Sequence, residues 1–321
     1  MSRIAWPLLV VLAACGTPVE DSAATISISP EDTEQTEVTA ELKLAKEDRS
    51  DTVDVMSWNV EWFGSVEDGP TDEALQQANV AKVLQQTAPD LVGLVEVVSE
   101  DAFATLMTKL PNHRGLLVTD PSVTQGRDFY WAKEQKVALV YHRRFTVESA
   151  RVVLTETQSS FAGRPPLEVK LRFDEDGQPR TLVVLVAHFK AMANLDGYTR
   201  RTEAAIALKR LLDTEYARRW VLVVGDFNDD LDVSTYRRSA TPFAPFLSDS
   251  GYRFTTDALT RANISTTLTF SSTIDHHLAT NELADRFLEG SAKVVNVPAV
   301  FPDAKTTTSD HLPVLTRYDL R

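Results

Sequence analysis

Val221-Leu222-Val223-Val224-Gly225-Asp226-Phe227-Asn228 is a run of four aliphatic residues that ends, across one glycine, on a carboxylate and an amide. A run this short and this apolar predicts a buried strand. The same design recurs where Val183-Val184-Leu185-Val186-Ala187 runs into His188. Thr273-Ile274-Asp275-His276 and Ser309-Asp310-His311-Leu312-Pro313 add two further polar clusters. A carboxylate or imidazole at the end of a buried strand is costly unless it is paired or bound to a cation. One such residue would pass as a satisfied core group. Four clusters rich in Asp, Asn and His predict the rim of a single metal-dependent site.

Working outward, Val53 to Val60 reads as a strand and closes on Ser57-Trp58-Asn59-Val60-Glu61. Asp72 to Thr87 reads as an amphipathic helix with Leu75, Ala78, Ala81 and Leu84 on its buried face, stopping at Ala88-Pro89. Asp90 to Glu96 is a strand that again ends on a carboxylate, and Asp101 to Leu110 reads as a helix. Strands are predicted at Lys136 to His142, Ala150 to Glu156, Leu167 to Phe173 and Arg180 to His188, then a long helix at Thr199 to Arg218. The last third is strand and loop. Strands in the majority with long helices between them predict two stacked sheets covered by helices.

The chain has 321 residues, 43% hydrophobic and 25% charged, a composition ordinary for a globular enzyme. Its formal net charge of −13 argues against a protein that coats nucleic acid or an anionic membrane by charge alone. It leaves room for a hydrolase in which a bound metal reverses the sign locally. After the N-terminus no apolar stretch approaches the length of a spanning helix. Arg3, the apolar run Ile4 to Ala14 and then Cys15-Gly16 form an export signal that resembles a bacterial lipoprotein signal, with Cys15 as the lipidated first residue of the mature protein. Residues 1–14 are thus expected to be a signal peptide and the membrane to be met through the lipid anchor only, at the cell envelope or, after release, outside it. Cys15 is the single cysteine, so the mature body has no disulfide of its own and no thiol chemistry. Residues 15–51, rich in Ser, Thr, Glu and Asp, read as a flexible acidic tether, with a stray edge strand conceivable at Val38 to Leu44. The catalytic domain is expected over 52–321, as a monomer.

The ordered series Asn59, Glu96, His188 with Lys190, Asp226 with Asn228, Asp275, and Asp310 with His311 resembles the endonuclease/exonuclease/phosphatase superfamily, in its deoxyribonuclease-like branch. Gly-Asp-Phe-Asn and Ser-Asp-His are its most specific pieces, and the match runs from about residue 53 to the C-terminus. The resemblance implies an α/β fold, a four-layer αββα sandwich of two mixed sheets packed face to face and flanked by helices. It also implies metal-dependent phosphoester hydrolysis, and it assigns His311 an orienting partner in Asp275. His188 matches the second histidine of the deoxyribonuclease-like branch, where abasic-site endonucleases carry a tyrosine, and would donate to a phosphoryl oxygen or act as general acid.

Residue chemistry runs parallel to the resemblance. Cleaving an anionic phosphodiester requires charge neutralisation, a nucleophilic water and help for the leaving oxygen. Mg²⁺, with Mn²⁺ or Ca²⁺ as alternatives, takes oxygen ligands and needs one or two carboxylates. Glu96 is the first candidate ligand, with Asn59 and Asp310 beside it; Asp226 and Asn228 would hold a second metal. His311 and Asp226 compete as the group that deprotonates the attacking water, and Glu61 is a supporting residue or further ligand. Lys190 and Arg201 are candidate substrate clamps. Phe129-Tyr130-Trp131 offers aromatics to a base, sugar or headgroup, or packs under a loop. The expected substrate is nucleic acid, giving a secreted or surface-anchored nuclease. A small or lipid phosphoester is the alternative, and a non-catalytic surface binding protein is disfavoured by the filled polar positions.

Overall fold

The computed structural model describes residues 52–175 and 177–320. The signal peptide, Cys15, the acidic tether and the Val38 to Leu44 segment lie outside the described residues. Among the described residues thirteen strands form two sheets. They are β1 (Thr52–Phe63), β2 (Leu91–Val97), β3 (His113–Leu117), β4 (Val123–Thr124), β5 (Lys136–His142), β6 (Thr146–Val152) and β7 (Leu167–Glu175), followed by β8 (Gln178–His188), β9 (Trp220–Asp226), β10 (Tyr252–Phe254), β11 (Asp275–Thr280), β12 (Lys293–Val294) and β13 (Val314–Asp319). The first sheet has the order β12-β13-β1-β2-β5-β3 and the second β10-β11-β9-β8-β7-β6-β4. Both are mixed: β1 runs parallel to β2 but antiparallel to β13, and β8 runs parallel to β9 but antiparallel to β7.

The two-residue period of each strand sorts its side chains between two cores. On β1, β8 and β9, Val53, Val55, Val184, Val186, Leu222 and Val224 point between the sheets and make one continuous apolar layer. Met56, Trp58 and Val60 point the other way, onto α1 (Glu73–Thr87) and α2 (Glu100–Thr108). On the far side Val183, Leu185, Val221 and Val223 pack under α3 (Leu195–Glu215) and a cluster of phenylalanines that includes Phe189, Phe227 and Phe243. The result is two stacked sheets covered by helices, as the strand and helix pattern predicted, in the αββα sandwich that the resemblance implied.

Three local expectations are corrected. The buried face of α1 keeps Ala81 and Leu84 of the expected set but also carries Gln76, Asn79, Val80 and Val83, while Leu75 and Ala78 are exposed. The helix is turned because Gln76 Nε2 donates to the carbonyls of Val60, Glu61 and Thr308, and Asn79 Nδ2 to Thr308 Oγ1. Those bonds satisfy loop carbonyls beside the polar clusters, a demand no hydrophobic period records. Strand β6 lies earlier than expected, because a 3-10 helix starts at Thr155. Helix α3 starts at Leu195, where Asn194 caps it by accepting from Gly197 N, and ends at Glu215.

Candidate active site

Following the inner face of each strand to its end leads to one place. Asn59, His188, Asp226 and Asp275 continue the inward-pointing sets of β1, β8, β9 and β11, where apolar residues give way to polar ones. The register fixes their spacing: His188 is the partner of Asp226 across the parallel β8/β9 pair, and Asp226 the partner of Asp275 across β9/β11. Gly225 makes this possible, since its φ is +141° and a Cβ there would lie 2.0 Å from the Ala187 carbonyl oxygen. A cleft of about 640 Å³ is lined by Asn59, His188 and Asp226 and also by Glu61, Glu96, Asn228, Asp310 and His311, with Asp275 behind His311. Among the described residues no lysine or arginine lines it.

Asn59 sits at the centre. Its Nδ2 donates to Glu96 Oε1 at 2.9 Å and to Asp226 Oδ2 at 3.1 Å, while its Oδ1 accepts the Glu61 amide at 2.9 Å. The expected metal-ligand role would use Oδ1, which keeps a second lone pair beside its bond from the Glu61 amide, and Nδ2 ties two carboxylates together. Glu61 and Glu96 reach the cleft from left-handed backbone, at φ +43° and +65°. This conformation is rare for residues with a Cβ and is held here by hydrogen bonds. Glu61 Oε2 accepts the Asp310 amide at 2.8 Å, and Glu96 Oε2 the Trp62 amide at 3.2 Å. Burial, then the Asp310 carboxylate, pushes the Glu61 carboxyl up to about 7. Burial likewise holds the Asp226 carboxyl well above the usual carboxylate range, against the opposing pull of His311.

His311 is positioned from three sides: Trp58 Nε1 donates to its carbonyl, its amide donates to Ser309 Oγ, and Ser309 Oγ donates to the Asn59 carbonyl. Its Nδ1 lies 2.9 Å from Asp275 Oδ2, and its Nε2 faces Asp226 Oδ2 at 3.8 Å. Burial opposes the charged ring, but Asp275 and Asp226 outweigh it and hold the imidazole well above its ordinary pKa. Asp226, Asp275 and His311 offer ligand atoms within 4.8 Å of one another, a spacing that would suit an ion. Because the Asp275 and His311 atoms already bond each other, the trio is better suited to carrying a proton.

His188 is buried, with Nε2 at 3.7 Å from Glu96 Oε1 and 3.6 Å from Asp226 Oδ2. Burial, then the Arg164 guanidinium, holds it well below its ordinary pKa. Asn228, at φ +54°, donates through Nδ2 to the Phe189 carbonyl, which leaves its Oδ1 with no protein donor among the described residues.

The substrate clamps expected from sequence fall elsewhere. Arg201 is fully buried: its Nε donates to Asp229 Oδ2 at 2.9 Å, and its Nη1 to the carbonyls of Lys190 and Met192. It ties loops together and cannot also reach a phosphate. Lys190 does not line the cleft, although the loop that follows it does, through Ala191, Met192 and Ala193. Two residues escaped sequence reasoning: Asp229, in a run of aspartates that reads as loop, and Arg164, in Gly163-Arg164-Pro165-Pro166, which reads only as a turn. His276 and His277 are both buried, on opposite faces of β11; His277 bridges Thr316 and Ser57 between the sheets. His113 and His142 are half-buried, and Trp220 is only partly buried. The aromatic triplet divides: Tyr130 is core and bonds the Pro165 carbonyl, whereas Trp131 is 65% exposed in a groove of about 730 Å³ that meets the cleft at Trp62.

Comparison with solved structures gives the same architecture. The D. rerio TDP2 structure complexed with a single-strand DNA product matches with a TM-score of 0.62 at 14% identity, covering 83% of this chain and 98% of that one. An endonuclease/exonuclease/phosphatase from Bacteroides vulgatus matches at 0.59 and 17% identity, covering 84% and 99%. The human nocturnin catalytic domain with bound sulfate matches at 0.55 and 18% identity, covering 84% and 94%. At these identities the likeness concerns the fold. No curated protein matches the sequence. The family model described as Endonuclease/Exonuclease/phosphatase family spans residues 56–311, most of the described fold and every cluster in the cleft, and the chain belongs to that family.

Proposed function

We propose that this protein is a divalent-metal-dependent phosphodiester hydrolase. The observation that carries the reading is the cleft's charge. Glu61, Glu96, Asp226 and Asp310 converge with no lysine or arginine among the described residues of the lining, and burial, then neighbouring carboxylates, raise the carboxyls of Glu61 and Asp226. Four carboxylates that the His311 ring offsets only in part form a set of hard oxygen donors that fits Mg²⁺ or Mn²⁺. Glu96, Asp310 and Glu61 would hold one ion, and the free Oδ1 of Asn228 with Asp226 would serve a second. A bound cation would neutralise phosphoryl charge and lower the pKa of its water.

The remaining chemistry belongs to the side chains. Asp275 orients His311 so that its Nε2 faces the cleft, and holds the ring in its protonated form, a donor to phosphoryl or leaving oxygen. Asp226 lies 3.8 Å from that Nε2 and, where it holds no ion, is suited to take the proton of the attacking water. His188 offers a second donor beside Glu96.

Within that reaction class the favoured substrate is nucleic acid with unpaired bases. Met192, Phe270 and Trp131 are 62%, 50% and 65% exposed around the cleft and its adjoining groove, giving apolar and aromatic faces, while the groove's Arg127 and Lys133 face Glu100 and Glu67. Such faces suit base stacking more than duplex phosphates, and the −13 charge agrees. The single-strand DNA complex of D. rerio TDP2 is consistent with this. Export and anchoring through Cys15 stay part of the proposal on sequence grounds alone. A panel of single-stranded DNA, duplex plasmid, RNA, inositol phosphates and sphingomyelin tests the substrate: single strands should be cut fastest, and preference for either non-nucleotide substrate would overturn the nuclease reading.

A further inference from the structure

The tautomer of the cleft's first histidine is fixed by a residue outside the cleft. Arg164 follows the 3-10 helix Thr155–Phe161 through a tight turn in which Ala162 and Gly163 take φ of +57° and +85°. The turn is held at both ends, by Arg164 N donating to the Phe161 carbonyl and by Tyr130 Oη donating to the Pro165 carbonyl. The side chain runs inward and is 6% exposed. Its Nη1 donates to Gln135 Oε1 and lies 3.0 Å from His188 Nδ1. Its Nε has no partner, and no carboxylate pairs with it among the described residues. A buried guanidinium without a counter-ion is costly and is kept where its donors have a use.

A guanidinium has five N–H donors and no acceptor. The 3.0 Å contact therefore requires a lone pair on His188 Nδ1. The neutral ring then carries its hydrogen on Nε2, the atom that faces Glu96 Oε1 and Asp226 Oδ2 at 3.7 and 3.6 Å. We propose that Arg164 is a positioning residue that locks His188 as the Nε2–H tautomer, so that His188 presents a hydrogen-bond donor, and never an acceptor, to a phosphoryl oxygen in the cleft. The sequence left two roles for His188, donor and general acid, and this geometry selects the first. Histidines in catalytic sites are more often oriented by a carboxylate or carbonyl, which accepts from Nδ1–H and leaves Nε2 as the lone-pair atom. Here the polarity is reversed, and His188 and His311 enter the cleft oriented by groups of opposite charge.

The inference rests on the hydrolase reading only for what the donor is used for; the tautomer itself is measurable without turnover. Long-range ¹H–¹⁵N spectra of the metal-free full-length protein, assigned with His188→Asn, should show a pyridine-type Nδ1 and a pyrrole-type Nε2 for His188. A pyrrole-type Nδ1 in the wild-type spectrum overturns the proposal, with no variant needed. In Arg164→Met the two nitrogens should move toward averaged values, and kcat on bis-p-nitrophenyl phosphate should fall roughly tenfold or more. The KM in that variant should stay within about twofold, the pattern of a contact made in the transition state. Arg164→Lys, which keeps a donor, should recover part of the rate. Spectra of Arg164→Met identical to wild type also overturn it. The predicted tautomer in a wild type that cleaves no phosphodiester would refute the hydrolase reading and leave the Arg164 assignment standing.

Discussion

Replacing Arg201 with methionine separates the role the structure gives it from the phosphate contact expected from its position on the long helix. Arg201 and Asp229 are both fully buried. Asp229 also accepts from Ser234 Oγ and the Thr235 amide, while Arg201 Nη1 holds the carbonyls of Lys190 and Met192. One ion pair therefore joins α3 to the loops that leave β8 and β9, which carry the cleft residues Met192 and Asn228. Methionine fills similar volume but strands the Asp229 carboxylate, and breaking a buried pair from one side costs about 3–5 kcal/mol. For a fold of this size that corresponds to a fall in Tm of roughly 10 °C. The double variant Arg201→Met/Asp229→Asn removes the stranded charge and should regain about half of the loss or more. Thermal melts and urea titrations of the two single variants and the double one complete the cycle. Unchanged Tm in Arg201→Met, together with a raised KM for phosphodiester substrates, would refute the structural role and restore the substrate clamp.

Two more perturbations follow from buried groups. Burial lowers the pKa of His276 to about 4 and of His277 to about 3, from 6.5 when unfolded, so both rings fold neutral. The unfolded chain takes up these protons first as the pH falls; their contribution is thus whole above pH 6.5 and is lost on acidification toward 4 and 3. By about pH 4.5 the two together account for roughly 5 kcal/mol of lost stability. Urea unfolding across this range should show a shallower slope for His277→Gln than for wild type, and equal slopes would contradict the assignment. Gly225→Ala, with φ of +141° and a Cβ 2.0 Å from the Ala187 oxygen, should cost about 3 kcal/mol or more and disturb the β8/β9 pair; a near-native melting curve would show that the strand ends can spread.

Strands β8 and β9 were legible because a continuous aliphatic run ending on His188 or Asp226 carries its own contradiction, apolar burial beside charge. The face of α1 was misread because Gln76 and Asn79 are buried to satisfy loop carbonyls, and a hydrophobic period does not record that need. Arg201 looked like a clamp because its partner Asp229 is 28 residues away in sequence. Arg164 was invisible for the same reason: its meaning depends on a ring nitrogen contributed by another element. The Asn59 amide could be oriented only once the Glu61 amide was seen to point at its oxygen. Residue types in order are enough to announce a site; which atom of each side chain faces the cleft is settled by contacts between distant segments.

On the proposed reading Glu61, Glu96 and Asp310 hold a divalent cation used to hydrolyse phosphodiesters. The most direct test of that reading is the rate of bis-p-nitrophenyl phosphate hydrolysis by the purified protein before chelation, after EDTA treatment and dialysis, and after adding back Mg²⁺ or Mn²⁺, with Glu96→Gln alongside. The account predicts activity that vanishes on chelation, returns with the metal, and is reduced at least about a hundredfold in Glu96→Gln at saturating metal. Hydrolysis that survives chelation, or a Glu96→Gln variant that turns over like wild type, would contradict it.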